Sequence, residues 1–474
     1  MGPVNSAVLN QGSTRTAFRT LAISSPDELV YGCAPSPVIA GRGLEIGAGT
    51  VVPEINFTLP PLEINESTWP EIRKQYAEMI DGICTRAAAL ELPGLLAEFE
   101  TLPPMTLRPE WGAEITSILA ERLQRATDVH GIKTALRLTP NDTRDHIRPP
   151  LMRHGECWDG MCRLFDMAAG AGADLLAIES TGGKEICDEA LMNADLPTLL
   201  FALGVLAPRD MEFLWDRIVL ACRQGNIIPS GDTACGFANT AMVLAEQRMV
   251  PRVFAAVVRV ASVPRGLVAY ECGAVGPSKD CAYEGPYIKA ITGAPISMEG
   301  RSAACAHLSS VGNISQAVCD CWSNESVQNV RLLSASAPVV SLEQLAYDCR
   351  LLNTAGRSSD ADRLKMRNWL VESDSAMDPQ AYVLRPDVVI RLAGEIIKYE
   401  NPYQRTRAAA IATLDELRKA HASGDVKIPR NEIRWLDKFC KQAESLPETE
   451  EQICDQMRDQ LKDAPYLPSE YGLA

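Results

Sequence analysis

Strand-like and helix-like segments alternate along this chain for about 300 residues with no obvious linker between them. Leu44–Leu59 reads as strand and loop ending in Pro60-Pro61. Leu95–Glu100, Thr134–Leu138, Asp174–Glu179, Ile227–Gly231, Val253–Val260 and Ala294–Met298 read as further strands. Between them, Trp111–Ala126, Cys157–Ala169, Ile186–Leu203, Met211–Arg223 and Asn239–Gln247 carry apolar residues at helical spacing. A helix is predicted to begin near Thr68, with Thr68 as cap and Pro70 in the first turn. Strands that alternate with helices pair in parallel. So long an alternation favours one closed (β/α)8 TIM barrel over two open sheets. The expected organisation is an irregular N-terminal segment at 1–40, the barrel at 41–360 and a charged helical extension at 361–474. Within the extension, Tyr403–Lys419 and Glu432–Ala443 show amphipathic spacing.

The chain has 474 residues, enough for a barrel-sized core. Its net charge of −15 argues against nucleic acid as a partner, because phosphate binding needs a basic surface. No basic-then-apolar leader is visible at the start, and no run is read as a membrane span, so no membrane partner and a cytoplasmic location are expected. The 15 cysteines are scattered, without a repeated C-x-x-C. That fits a reducing, anaerobic setting with most thiols as small buried hydrophobes. It counts against a clustered iron–sulfur site.

Barrels keep their chemistry where strands hand over to loops at the C-terminal face. Three segments place metal-binding side chains there. Leu175–Ser180 ends a strand-like run with Glu179, Gly231–Asn239 holds Cys235 in a glycine-bracketed turn, and Lys279–Gly285 holds Cys281. One carboxylate and two thiolates would give a zinc ion three protein ligands and leave one position open, the catalytic pattern. The plain alternative is a buried thiol near a strand end. Only five histidines occur, and none has H-x-x-x-H or H-E-x-x-H spacing, which counts against a hydrolase or lyase built on histidine ligands.

Other residues have a plain reading beside a functional one. Glu45, Glu54 and Asn56 can face the barrel mouth or fix a loop. Asp232 can orient the cysteine loop or cap the helix near Asn239. Gly182-Gly183 can bring backbone close to a cofactor or simply turn the chain. The glycine-rich run Gly41–Gly49 lacks the lysine of a P-loop. His307 is read as a core histidine, and Met242 and Met298 as packing residues.

Long motifs in the chain resemble the zinc-binding methyltransferase subunit of the methanol:corrinoid methyltransferase family. They are Gly43-Leu-Glu-Ile-Gly47 with Pro53-Glu-Ile-Asn-Phe-Thr-Leu-Pro60, Ile178-Glu-Ser-Thr-Gly-Gly-Lys-Glu185 and Ala202-Leu-Gly-Val-Leu-Ala-Pro-Arg-Asp210. The others are Gly231-Asp-Thr-Ala-Cys-Gly-Phe237, Ala241-Met-Val-Leu-Ala-Glu-Gln-Arg248, Lys279-Asp-Cys-Ala-Tyr-Glu-Gly285 and Pro295-Ile-Ser-Met-Glu-Gly300. The resemblance implies a (β/α)8 barrel with one zinc per chain, held by Glu179, Cys235 and Cys281. Cys272 is the rival for the third place, but its flanks do not match the motif. The resemblance further implies transfer of the methyl group of methanol to a cob(I)alamin carried by a partner corrinoid protein. The implied assembly is a homodimer of this subunit within a heteromeric complex. Another small methyl donor is the alternative within the same class.

Overall fold

The computed structural model describes residues 17–58, 62–279, 281–327 and 330–473, without the side chains of residues 57 and 58. Residues 1–16 of the expected irregular segment and the expected Pro60-Pro61 stop lie outside the described residues. An antiparallel hairpin, β1 (Cys33–Ala40) and β2 (Leu44–Ala48), comes first. The expected irregular segment therefore already contains a strand. Proline at positions 35 and 37 hides it from a propensity reading, and an edge strand tolerates proline.

Seven parallel strands follow. They are β3 (Val52–Thr58), β4 (Gly94–Glu100), β5 (Lys133–Thr139), β6 (Leu175–Ile178), β7 (Ile228–Asp232), β8 (Ser297–Glu299) and β9 (Cys321–Val327). Their spatial order is β7-β6-β5-β4-β3-β9-β8, so β7 and β8 are the two edges. The extended residues 275–278 lie between those edges. The Val275 and Gly276 amides donate to the Pro229 and Ser230 carbonyls of β7 at 2.9 and 2.8 Å. On the other side Ser278 bridges to Ile296 in parallel, and the Ser297 amide donates to its carbonyl at 2.9 Å. The curled sheet closes through this segment into a TIM-barrel-like α/β fold.

The barrel interior is layered as inward-facing alternate residues require. At the N-terminal end Val52, Leu96, Ala135, Leu175, Ile228 and Cys321 form an apolar cluster with Ala40, Leu44 and Ile46 of the hairpin. The hairpin thus caps that mouth and keeps water out of it. The next layer is ionic. The buried Arg137 guanidinium bonds Glu54 Oε1 at 3.0 Å and the Pro277 carbonyl at 2.7 Å, tying β5 to β3 and to the closing segment.

Two readings of the sequence are corrected. Val253–Val260 is helix, part of Arg252–Ala261, and Val263–Cys272 continues it. The stretch 252–272 is long and apolar enough, by composition, to cross a membrane, and its most apolar stretch is wholly buried inside the fold. Burial on every side removes the polar face that marks a helix period, so the run imitates a buried strand. The second correction is Thr68. It precedes the helix Trp69–Ala89 but makes no capping bond; its hydroxyl donates to the Glu63 carbonyl instead. The helices Pro402–Ser423 and Arg430–Glu444 pack against Arg252–Ala261, with Phe254 stacked on Phe439 at 4.4 Å.

Candidate metal centre at the barrel mouth

The C-terminal ends of the strands gather the chemistry. Glu179 directly follows β6. Cys235 opens a π-helical turn, Cys235–Asn239, just beyond β7. Cys281 follows the closing segment. Three loops far apart in sequence converge because the barrel closes: the carboxylate oxygen and the two sulfurs all lie within 4.8 Å of one another. The Cys281 sulfur is 3.8 Å from Glu179 Oε1. A tetrahedral zinc with ligands at about 2.0–2.3 Å puts its donors roughly 3.5–3.8 Å apart. Two soft sulfurs and one carboxylate at this separation therefore suit such an ion. Cys272 ends the helix Val263–Cys272 and is not in the cluster.

The surroundings make the triad hold its protons tightly. The Cys235 thiol is pushed up to about 11: its hydrogen bond with Cys281 works to lower it, but burial and the charge of Glu179 outweigh that. Burial, reinforced by Cys235, drives Cys281 well above the usual thiol range. Burial also raises Glu179, although the ammonium of Lys279 opposes it. A bound dication supplies the charge that turns such thiols into thiolate ligands. Asn239, one helical turn beyond Cys235, donates to its sulfur at 3.6 Å.

The sequence reading missed the surroundings of this triad. Lys279 lies 2.7 Å from Glu179 Oε1, pairs with Glu100, and is 3.9 Å from Glu98. Burial lifts Glu98 to about 7 and, with Glu100, lifts Glu325 to about 7. Burial and Glu325 drive Glu299 well above the carboxylate range. The buried lumen carboxyls Glu98 and Glu299 thus bind protons more tightly than free carboxyls do, while Glu325 stands at the exposed rim. A signal existed in the polar residues that recur at every second strand position, the acids Glu98 and Glu100 in β4 and Ser323 and Glu325 in β9. Strands buried on both faces do not reveal which of the two sets points inward.

The remaining candidates separate cleanly. Glu45 sits on the hairpin at the far end of the barrel, paired with Lys133 at 2.8 Å on the surface. Glu54 faces the lumen but is locked by Arg137. Asn56 points toward the mouth and donates to Glu100 at 3.4 Å. Asp232 neither touches Cys235 nor caps the next helix. It accepts from Arg265 at 3.0 Å, Trp215 at 3.1 Å and the Ser180 amide at 3.4 Å, and so braces the backbone just after Glu179. His307 follows the helix Arg301–Ala306, half-buried, with its Nδ1 unpaired and its pKa lowered by burial. Met242 and Met298 are core residues.

Gly182 serves close packing. A Cβ there would lie 2.3 Å from the Asp210 Cβ. Gly182→Ala is expected to destabilise the fold by about 1–3 kcal/mol in chemical denaturation. Gly394→Ala is the matched control, in a helix where an added Cβ meets nothing within 4 Å. It should stabilise by about 0.5–1 kcal/mol.

Glu179 and Cys235 line a cleft of about 490 Å³ that opens outward past Asn141, His146, Thr181 and Lys184. One wall of the triad is therefore reachable from outside, while Cys281 is buried behind it.

The family model described as methanol-cobalamin methyltransferase B subunit matches residues 15–472. A methanol–corrinoid protein co-methyltransferase from Methanosarcina barkeri (strain Fusaro / DSM 804) is 36% identical over 461 residues, covering 96% of this chain and 99% of that protein. The crystal structure of the methanol:cobalamin methyltransferase complex MtaBC from Methanosarcina barkeri contains a chain with a TM-score of 0.92 at 36% identity. The match covers 97% of this chain and 100% of that one.

Proposed function

This chain belongs to the methanol-cobalamin methyltransferase B subunit family and is a methyltransferase, and on that premise we propose that it moves the methyl group of methanol to the cobalt of a corrinoid held by a partner protein. The observation that carries the reading is the convergence of Glu179, Cys235 and Cys281 at the inner end of an open cleft. These three residues would hold one zinc ion. When bound, zinc supplies the electrophilic pull on an alcohol oxygen that makes hydroxide a tolerable leaving group.

The chain's own residues supply the rest. In the transfer the carbon–oxygen bond of methanol breaks, a cobalt–carbon bond forms with the electron pair of cob(I)alamin, and hydroxide departs and takes a proton. With Cys281 buried behind the triad, the outward cleft past Glu179 and Cys235 is the side from which the corrinoid would approach, and the barrel wall keeps bulk water from the opposite side. Lys279 holds Glu179 and Glu100 in place and offsets part of the negative charge. The buried carboxyls Glu98 and Glu299, whose proton affinity burial raises, are the groups placed to give the departing hydroxide its proton.

The test is anaerobic. The zinc-loaded protein is mixed with cob(I)alamin and methanol, and the cobalt spectrum is followed for methylcobalamin. Methylation that requires methanol and stops when zinc is removed supports the reading. Methylation from another donor but not from methanol, with the partner protein present, overturns the substrate.

A further inference from the structure

The loop that carries Glu179 is held by a residue almost three hundred positions away. Tyr471 is fully buried. Its hydroxyl accepts from the Gly183 amide at 3.0 Å and donates to Glu185 Oε1 at 2.7 Å. Gly183 adopts φ +84° and caps the helix Lys184–Asn193, so the amide fixed by Tyr471 sits at the turn itself. The short helix Pro468–Tyr471 is anchored on both sides. Glu470 accepts from the Arg153 amide at 2.9 Å, and Arg209 donates to the Gly472 carbonyl at 3.2 Å.

This contact reaches both outer arms of the triad. Glu179 lies four residues before Gly183. In between, Thr181 is bonded to Asp142 at 2.9 Å, and Gly182 is pressed on Asp210. On the other side of Gly183, the stem of Lys184 covers Gly236, so a Cβ there would meet the Lys184 Cδ at 3.3 Å; Gly236 is the neighbour of Cys235. A shift at Gly183 therefore moves the Glu179 backbone and the packing of the Cys235 turn together. Tyr471 is walled off from the cleft and touches neither ligand.

We propose that Tyr471 is a positioning residue for the metal centre, its hydroxyl setting the Gly183 turn from which the Glu179 and Cys235 loops take their spacing. The inference rests on the reading of Glu179, Cys235 and Cys281 as metal ligands. Tyr471→Phe keeps the ring and removes only the hydroxyl. Zinc affinity, measured by chelator competition, is expected to fall by about tenfold or more, as loss of an outer support does elsewhere. Hydrogen exchange in a peptide spanning 179–185 is expected to quicken, while the melting temperature stays within a few degrees of wild type. At saturating zinc, kcat for methyl transfer should fall more than KM for methanol rises. Glu185→Gln keeps an acceptor for the hydroxyl and should bind zinc as wild type does, whereas Glu185→Leu should behave as Tyr471→Phe. Unchanged zinc affinity and unchanged exchange in Tyr471→Phe would overturn the proposal, as would a uniform loss of stability with wild-type affinity in the folded fraction. A wild-type protein that binds no zinc would instead remove the ligand reading, and exchange at 179–185 would still report whether Tyr471 sets the turn.

Discussion

Cys235→Ala is expected to abolish stoichiometric zinc binding and methyl transfer with it. Losing an outer hydrogen-bond partner costs a metal site roughly 10–100-fold in affinity, and losing a charged ligand costs more. The remaining pair, Glu179 and Cys281, cannot define a tetrahedral site, and the buried Cys281 thiol loses the neighbour that shares its hydrogen bond. Cys281→Ala should do the same, while Cys272→Ala should leave metal content unchanged, because Cys272 stands outside the cluster. Metal analysis of the three purified variants, with circular dichroism to confirm folding, separates the outcomes. One equivalent of tightly held zinc in both Cys235→Ala and Cys281→Ala would remove the site assignment. Glu179→Gln is the sharper companion. It keeps the shape, removes the ligand charge and leaves Lys279 with less compensation, so its zinc affinity should fall without a large change in fold.

Much of this architecture is legible in the residues, for stated physical reasons. The alternation of buried strands and amphipathic helices gives the parallel α/β class, and six of the barrel strands lie within or beside segments read as strands. The seventh, Cys321–Val327, was missed because its alternation is of polar against polar: Ser323 and Glu325 face the lumen, and Asn324 lies between them. Barrel closure is carried by residues 275–278, whose glycine and proline read as loop. Glu179 and Cys235 stand out in the sequence because each lies in a glycine-containing turn after a strand-like run, whereas Cys281 is picked out over Cys272 only by the family motif around it. The surroundings of the triad were not legible. Lys279 stands out in the sequence only as part of a motif, and its bond to Glu179 exists only once the closing segment lies between β7 and β8. Tyr471 carries no local signal at all, since its partner is distant in sequence.

Arg144→Met is expected to give the largest loss of stability of any substitution near the site, about 3–5 kcal/mol at neutral pH. Arg144, Asp142 and Asp210 form a fully buried ionic cluster, with Arg144–Asp142 at 2.7 Å and Arg144–Asp210 at 2.8 Å. Methionine fills similar volume but leaves two carboxylates buried without a cation. Burial acts to raise Asp142, but Arg144 and the hydrogen bonds from Thr181 outweigh it and hold the carboxyl below its usual range. That stabilisation is present above the ordinary carboxylate pKa of about 4 and is lost as pH falls through the lower folded value. In the variant the sign reverses. The uncompensated carboxyls have raised pKa values in the folded state, so the destabilisation is full above those values and shrinks as they take up protons on acidification. Denaturation at pH 7 and at pH 5 should therefore show a smaller gap between variant and wild type at the lower pH; an equal gap at both would mean that lost packing, not stranded charge, causes the loss. The cluster also bears on the proposed metal centre, because Asp142 holds Thr181, two residues after Glu179. Zinc affinity in the folded fraction of the variant should then fall as well, and a fold weakened this far with wild-type zinc affinity would show that the cluster supports the barrel alone.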